Sequence, residues 1–268
     1  RQKGQLTDNK RSVYLTASAK SSKAKSRASG LYKIGTGATT IADNFTNFDR
    51  CNGFVIRPIY VASNAGAPEA VDLGLSVKWA NMNLGATSPE DAGEYYGWGC
   101  TEPYATTDNV TWTLYFSKLG STGTSASDCG TDKDPLKAYV TNKTGIEGSA
   151  WDVAHCRFGG GWRMPTKAEL DELMAYANCS WQWMDDYHGV KGFMVTSKML
   201  GFEGNCIFIP MSGYMIGSSL VTGESNYSWS GTPFTRTSQA WSQAADESGK
   251  IIYSLDRNFG LTIRPVCD

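Results

Sequence analysis

Apolar and polar positions alternate along the stretch VDLGLSVKWANMNLGA at residues 71–86. The apolar residues stand at every second position: Val71, Leu73, Leu75, Val77 and Trp79. A period of two places apolar side chains on one face of a strand. The pattern therefore predicts a half-buried β-strand over residues 71–79.

A helical pattern stands further along, in TKAELDELMAYA at residues 166–177. Thr166 suits the N-cap position, and Glu169, three residues on, completes a capping box. The apolar residues of this stretch recur at helical spacing: Leu170, Leu173, Met174 and Ala177. The pattern predicts a helix over 166–177, and the stretch AWDVAHC predicts a shorter one over 150–157.

The rest of the second half consists of loops and short strands. Residues 104–150 are polar and rich in Ser, Thr, Gly and Asp, which indicates a long irregular excursion. Beyond residue 180, Gly, Ser and Asn turns separate six strand-like segments: GFMVTSK, NCIFIPMSGY, NYSWSG, SQAWSQ, KIIYSL and GLTIRPVC. These elements predict an α+β fold with short antiparallel strands, two helices and long loops.

The chain writes one ten-residue pattern twice. Residues 49–58 read DRCNGFVIRP and residues 256–265 read DRNFGLTIRP, so both fit D-R-x-x-G-x-x-I-R-P without a gap. Glycine permits a turn or bulge, the alternating residues indicate a strand, and proline ends it. The shared residues favour a true repeat over two unrelated strands that share a turn. Each copy therefore has the character of the last strand of a domain.

The repeat divides the chain into two parts. We expect residues 1–62 to be a β-rich segment, the closing half of a preceding unit, and residues 71–268 to be a complete domain. The stretch SNAGAPEA at 63–70 is predicted to be the linker. About 60 residues are few for an independent core, so the first part is expected to dock on the complete domain or on a partner. Because the chain begins with Arg1 and shows no leader, we expect a fragment or processed form of a longer chain.

Charge and hydropathy argue against two classes of partner. Residues 1–33 hold nine Lys and Arg against one acid, Asp8, but the basic stretch SAKSSKAKSRASG has no aromatic interleaving. A solvated loop explains it better than a nucleic-acid interface. No apolar run approaches the length of a transmembrane helix. The few charged residues, 19%, with abundant Gly, Trp and Tyr, are typical of exported bacterial surface proteins. We therefore expect an extracellular, cell-surface location.

Seven cysteines form neither a CxxC motif nor a complete set of pairs. An odd number excludes full disulfide pairing within one chain, and the spacings are too wide for a local zinc site. Cysteine is among the most buried residue types even when free. Most are therefore expected to be small core residues. One or two disulfides are the alternative for an exported protein, and the sequence does not choose the pairs.

Four segments together resemble a known family. VDLGLSVKWANMNLGA (71–86), EYYGWGCTEP (94–103), GGGWRMPTKAELDEL (159–173) and RNFGLTIRPV (257–266) are similar to the Fibrobacter succinogenes major paralogous domain of Bacteroidetes surface proteins. WRMPTKAEL also resembles a motif of the formylglycine-generating, sulfatase-modifying superfamily. Both resemblances imply a C-type-lectin-like fold, in which the first and last strands pair and helices flank a long loop region.

The sequence gives little support to an enzyme. Formylglycine-generating enzymes need a cysteine pair that holds copper, and only Cys267 lies in the closing strand. None of the common hydrolase, metalloprotease, P-loop or dinucleotide motifs is present. A metal site formed by the two histidines, His155 and His188, with Asp185 or Asp186 is a disfavoured alternative. The calcium-dependent lectin triplets are absent as well, so the metal is unknown, although calcium stays open as a cofactor.

Recognition of a ligand by surface loops is what remains. The candidate ligand-binding residues lie in the late strands and loops: Tyr214, Asn226, Tyr227, Trp229 and Trp241. Tyr and Trp give large contact areas with few rotatable bonds. A core role is the alternative, and it is favoured for Trp229. We therefore predict non-enzymatic adhesion or ligand binding, with a glycan or a surface protein as partner. The alternative function is a structural subunit or spacer of a surface assembly such as a pilus.

Overall fold

The computed structural model describes the backbone of residues 12–20, 27–34 and 45–49, and all of residues 68–268. Contacts divide the chain into two compact units, Arg1–Ala62 and Ser63–Asp268. The basic loop at 21–26, residues 50–58 of the first motif copy and most of the predicted linker lie outside the described residues.

The first unit contains an antiparallel three-stranded sheet. Its strands, in the order β1-β2-β3, are β1 (Ser12–Lys20), β2 (Arg27–Ile34) and β3 (Phe45–Asp49). β1 pairs with β2 residue by residue from Ser12 to Thr16, and the register then shifts before Lys20. β3 ends at Asp49, the first residue of the repeated motif.

The second unit mixes four short helices with short antiparallel strands, which is compatible with the α+β class. The helices are α1 (Trp112–Lys118), α2 (Lys137–Asn142), α3 (Val153–Phe158) and α4 (Lys167–Met174). A 3-10 turn covers Ala126–Asp128. None of the helices in the described residues is long and apolar enough to span a membrane.

Within residues 68–268 the strands form four separate sheets. In chain order they are β4 (Ala70–Val71), β5 (Lys78–Ala80), β6 (Trp162–Arg163), β7 (Cys179–Tyr187), β8 (Val190–Ser197), β9 (Cys206–Pro210), β10 (Tyr214–Ile216), β11 (Ser219–Val221), β12 (Ser225–Pro233), β13 (Gln239–Asp246), β14 (Gly249–Asp256) and β15 (Val266–Cys267). The sheets have the orders β4-β5-β15-β6, β7-β8-β9, β10-β11 and β12-β13-β14. Since Trp79 of β5 pairs with Val266 of β15, the beginning and end of the unit meet in one sheet.

Two predictions of secondary structure are corrected. The stretch predicted as one strand over 71–79 is broken between β4 and β5, because Asp72 Oδ1 accepts a hydrogen bond from the Gly74 N–H and Gly74 adopts a positive φ of 71°. The polar excursion at 104–150 contains α1 and α2, so the unit has four helices in its described residues rather than two.

The helix predicted from the capping box begins as expected. The Thr166 hydroxyl accepts from the Glu169 N–H at 3.1 Å, and the Glu169 carboxylate accepts from the Thr166 N–H at 2.8 Å. α4 ends at Met174, three residues before the predicted end, because the backbone of Ala175 is already extended. The shorter predicted helix corresponds to α3, which Asp152 caps.

Two apolar clusters make up most of the interior. One cluster includes Trp98, Tyr115, Phe116, Trp229 and Ile263. The other includes Trp79, Leu173, Phe193, Ile209 and Val266. α4 and the β12-β13-β14 sheet are in contact, and the surface between them contains the candidate site.

Two arginines of the second motif copy are buried in this interior. Arg257 forms a two-bond ion pair with Asp134, at 2.8 and 3.0 Å. Arg264 donates to the backbone carbonyls of Ala80 and Phe208, at 3.1 and 2.8 Å. These contacts are structural, and Arg57 of the first copy lies outside the described residues.

Candidate functional site

A cleft lies between α4 and the sheet strands β13 and β14, and we call it the α4 cleft. Its volume is about 410 Å³. Its walls are formed by Lys167, Asp171, Met174, Ala175, Tyr176, Trp241, Lys250, Ile251 and Ile252. α4 and the residues after it supply a lysine, an aspartate, a methionine and a tyrosine to one wall, while the strands supply a tryptophan, a lysine and two isoleucines to the other. The cleft therefore combines apolar area with a few polar groups, as binding sites for small ligands do.

Trp241 is the largest aromatic group of the α4 cleft. Its ring is half-buried and packs edge-to-face on Phe234, with ring centroids 4.8 Å apart. Lys167 Nζ lies 4.9 Å from the Trp241 ring centroid and forms an ion pair with Asp171 at 2.6 Å. The ring thus packs on Phe234 beside a cation and a carboxylate that pair with each other.

Lys250 lies at the other end of the α4 cleft between two aromatic rings. Its Nζ is 3.7 Å from the Tyr176 ring centroid and 5.0 Å from that of Trp181. The ammonium has no hydrogen-bond acceptor within residues 68–268. Burial lowers the pKa of Lys250, because the rings remove water without supplying a carboxylate. Tyr176 is 72% exposed, so its ring covers the Lys250 ammonium on the solvent side.

A second cleft lies on the opposite face of the sheet and shares Lys250 and Ile251 of β14 with the first. We call it the tyrosine cleft. Its volume is about 510 Å³. It is lined by Ser225, Tyr227, Ala244, Ala245, Asp246, Ser248, Gly249, Lys250, Ile251 and Tyr253. Tyr227 packs against Tyr214, with ring centroids 4.7 Å apart, and against Tyr253 at 6.2 Å. Burial and the Tyr227 hydroxyl raise the pKa of Tyr253, so this phenol is neutral at physiological pH.

The structure separates the five predicted ligand-binding residues into two groups. Trp241 lines the α4 cleft, Tyr227 lines the tyrosine cleft, and the half-buried Tyr214 supports Tyr227 from behind. Asn226 is only 1% exposed and Trp229 is fully buried. These two therefore lie in the interior and line neither cleft.

The buried pair of residues makes structural hydrogen bonds. Asn226 Nδ2 donates to the Pro210 carbonyl at 3.1 Å and to Ser212 Oγ at 3.0 Å. Trp229 Nε1 donates to the Tyr96 carbonyl at 2.8 Å. For Trp229 this is the core role that the sequence favours.

Sequence reasoning missed the remaining members of the α4 cleft. Tyr176 follows the end of α4, where an exposed aromatic beyond the apolar stripe was the available signal. Lys250 gave no local signal, because it enters the cleft only through the pairing of β13 with β14. Lys167 reads as an ordinary solvated residue of the first helical turn.

The described cysteines and acids offer no second site. Six cysteines are free thiols in the described part of the chain: Cys100, Cys129, Cys156, Cys179, Cys206 and Cys267. Burial raises the pKa of Cys100 and of Cys129 to about 12, so both are unreactive thiols at neutral pH. Cys51 lies outside the described residues. Within those residues, no group of three or more His, Cys, Asp or Glu could hold a metal ion.

Comparisons with known proteins give no assignment. A scan against protein-family models finds no match, and searches of curated proteins and of solved structures find none either.

Proposed function

We propose that this chain is a non-enzymatic binding module of a bacterial cell surface, which recognises a glycan or a surface protein. The observation that carries the proposal is the half-buried ring of Trp241 in the α4 cleft, beside the ion pair of Lys167 with Asp171. The extracellular location and the lectin-like fold are parts of the same proposal. The pairing of Trp79 with Val266, which brings the last strand into the sheet that also holds the first, is compatible with that fold.

The chemistry of the α4 cleft suits a ligand that has both an apolar face and polar edges. A tryptophan ring offers a large rigid surface at low entropic cost, on which the C–H face of a sugar or an apolar side chain can pack. Lys167 and Asp171 can bind hydroxyl groups or backbone groups at the edge of the ring. Lys250 closes the other end of the cleft, but its ammonium is enclosed between the Tyr176 and Trp181 rings, so a ligand meets the Tyr176 ring rather than the charge.

The test is a binding screen with one variant and a matched control. Purified wild-type chain is applied to a glycan array and to immobilised bacterial and host surface proteins, with calcium and with a chelator. Trp241→Ala removes the proposed contact surface, whereas Trp112→Ala removes a half-buried tryptophan of α1 that lines neither cleft. We expect Trp241→Ala to weaken binding by at least about tenfold, the scale of a central aromatic contact.

The result also decides what the cleft is for. Binding that survives Trp241→Ala, or that Trp112→Ala weakens equally, contradicts the assignment of the α4 cleft. Blank arrays with folded protein contradict the binding function. Loss of binding in chelator alone would require a calcium site.

A second candidate function is that of a structural subunit in a surface assembly. The observation that favours it is the outer edge of β14, which has no strand neighbour in the described residues. An open strand edge is a template for pairing with another chain. Filament or oligomer formation by the purified chain, with no ligand bound on the arrays, would select this candidate.

A further inference from the structure

β14 is a long and regular edge strand. It pairs with β13 through eight consecutive residue pairs without a register shift, from Gln239 opposite Asp256 to Asp246 opposite Gly249. On its other side no strand pairs with it in the part of the chain that the structure describes. The sheet therefore ends in eight residues of extended backbone.

The pairing with β13 determines which backbone groups of β14 point outward. Arg257 N–H, directly after the strand, donates to the Ser238 carbonyl at 2.9 Å. Hydrogen-bonded pairs alternate along an antiparallel ladder, so every second residue before Arg257 also faces β13. The N–H and C=O groups of Lys250, Ile252 and Ser254 consequently face outward. Within residues 68–268 none of these six groups has a hydrogen-bond partner.

The usual devices that protect an edge are missing from this strand. Gly249–Asp256 contains no proline and no bulge against β13. An outward-reaching lysine is another common protection, but the Lys250 side chain is folded under the Tyr176 ring. Ile251 is 59% exposed. Such an edge is suited to accept another strand.

The sequence of β14 is complementary to itself in the antiparallel direction. When two copies are related by a two-fold axis through Tyr253, Ile252 faces Ser254 of the second copy, and both have outward backbone groups. The same register places Lys250 opposite Asp256, so residues of unlike charge lie opposite each other at both ends; in a single copy the Lys250 ammonium is enclosed by the Tyr176 and Trp181 rings. It also places Ile251 beside Leu255 of the second copy on the other face. Directly opposite side chains are about 5 Å apart at Cβ, within interaction distance.

We infer that two copies of this chain pair antiparallel through β14, centred on Tyr253, to form a continuous six-stranded sheet. The pairing satisfies the outward groups of Ile252 and Ser254 in both copies. It brings Asp256 of the second copy within reach of Lys250, whose ammonium leaves the Tyr176 ring to pair with it, and it covers Ile251. The inference goes beyond ligand binding and gives the assembly candidate a specific form. It also places the two α4 clefts on one face of the joint sheet, where a repetitive ligand could occupy both.

The experiment is sedimentation velocity and light scattering on the full chain, from about 1 to about 500 µM, where small interfaces associate and dissociate. Ser254→Pro removes an outward N–H, and proline is tolerated at such edge positions because no ladder bond to β13 is lost. Ser254→Ala is the matched control, since it keeps the N–H. We expect wild type and Ser254→Ala to approach twice the 29.1 kDa mass of one chain.

For Ser254→Pro we expect the dissociation constant to rise at least about tenfold, because the substitution is present in both copies and removes two hydrogen bonds across the interface. A charge exchange tests the register independently of proline. Asp256→Lys should weaken the dimer, and the double variant Lys250→Glu with Asp256→Lys should restore it. Circular dichroism and melting curves establish that each variant is folded.

Three results would overturn the inference. Wild-type chain that stays monomeric to about 500 µM excludes the second copy as occupant and leaves the edge for a foreign strand. A dimer that Ser254→Pro does not weaken pairs through another surface. A dimer that Asp256→Lys leaves unchanged does not use this register.

Discussion

The ion pair of Arg257 with Asp134 is the interaction whose loss should destabilise the second unit most. Both side chains are fully buried, and the guanidinium makes two bonds to the carboxylate. Arg257 also donates to the Tyr115 hydroxyl at 2.9 Å and to the Thr237 carbonyl at 2.8 Å. Its guanidinium carbon lies 5.3 Å from the Trp98 ring centroid. Removal of one partner leaves the other charge buried without an opposite charge, although Asp134 keeps the hydrogen bonds from the Gly130 and Leu136 N–H groups.

We expect Asp134→Asn and Arg257→Met each to lower the free energy of unfolding by about 3–5 kcal/mol, the cost of breaking a buried pair from one side. For a unit of this size that corresponds to a melting temperature about 6–20 °C lower. The double variant Asp134→Asn with Arg257→Met should lose less than the two single losses together, since it leaves no orphan charge. All nine tryptophans lie in Ser63–Asp268, so tryptophan fluorescence follows this unit alone.

The same pair predicts a pH dependence with a definite sign. Burial opposes ionisation of Asp134, but the hydrogen bonds and charge of Arg257 outweigh it and hold the pKa of this carboxyl below its ordinary value of 3.8. Its stabilising contribution is therefore present above about pH 4 and is lost as the pH falls through the lowered pKa. In Asp134→Asn, the free energy of unfolding should not show this part of the decrease at acid pH. Single variants that lose less than about 1 kcal/mol, or acid curves that are parallel in wild type and Asp134→Asn, would refute the reasoning.

Two further predictions concern packing and thiol exposure. Gly74→Ala should cost about 1–3 kcal/mol in chemical unfolding, because Gly74 has a φ of 71° and an added Cβ would lie 2.5 Å from the Phe202 ring. Gly120→Ala, at a φ of 73° with nothing within 4 Å, should show the backbone cost alone, and equal losses would contradict the packing argument. In brief alkylation followed by peptide mass mapping, the exposed Cys156 and Cys206 should be labelled before the buried thiols, and simultaneous labelling of all would contradict the burial.

Local sequence predicted the elements whose causes are local. α4 begins where its capping box predicts, because Thr166 and Glu169 are three residues apart and bond each other. α1 had a signal that was overlooked: Trp112, Tyr115 and Phe116 stand at i, i+3 and i+4, directly after the N-cap Thr111. The many polar residues of the stretch 104–150 led to the prediction of an irregular loop there. The stretch at 71–79 failed for another local reason, since an aspartate–glycine turn interrupts its alternation.

The α4 cleft could be predicted only in part, because its members come together through tertiary contacts. Trp241 was identified as an aromatic residue of the late strands, but no pattern separates it from the buried Trp229. The difference is set by which face of the sheet meets α4. Tyr176 and Lys250 are 74 residues apart and meet only because α4 contacts β14. Site prediction therefore required the register of the strands and the position of the helix.

In the second copy of the repeated motif, the shared residues make contacts that hold the closing segment in place. Arg257 binds the loop that contains Asp134, and Arg264 holds two carbonyls of neighbouring strands. Gly260 has no Cβ because one would lie 2.8 Å from that of Met215. Each of these residues attaches the closing segment to a different part of the unit. A motif whose only role was to end a strand would not need these contacts.

The two three-stranded sheets extend the repeat beyond the ten motif residues. β12 pairs with β13 from Ser225 to Trp229 and then shifts register before Pro233. β1 pairs with β2 over five residues and shifts in the same manner before Lys20. In both units the third strand ends at the aspartate that opens the motif, Asp49 or Asp256. The agreement of register break, strand order and motif position is more than a shared turn would produce, so it favours a common origin for the two closing segments.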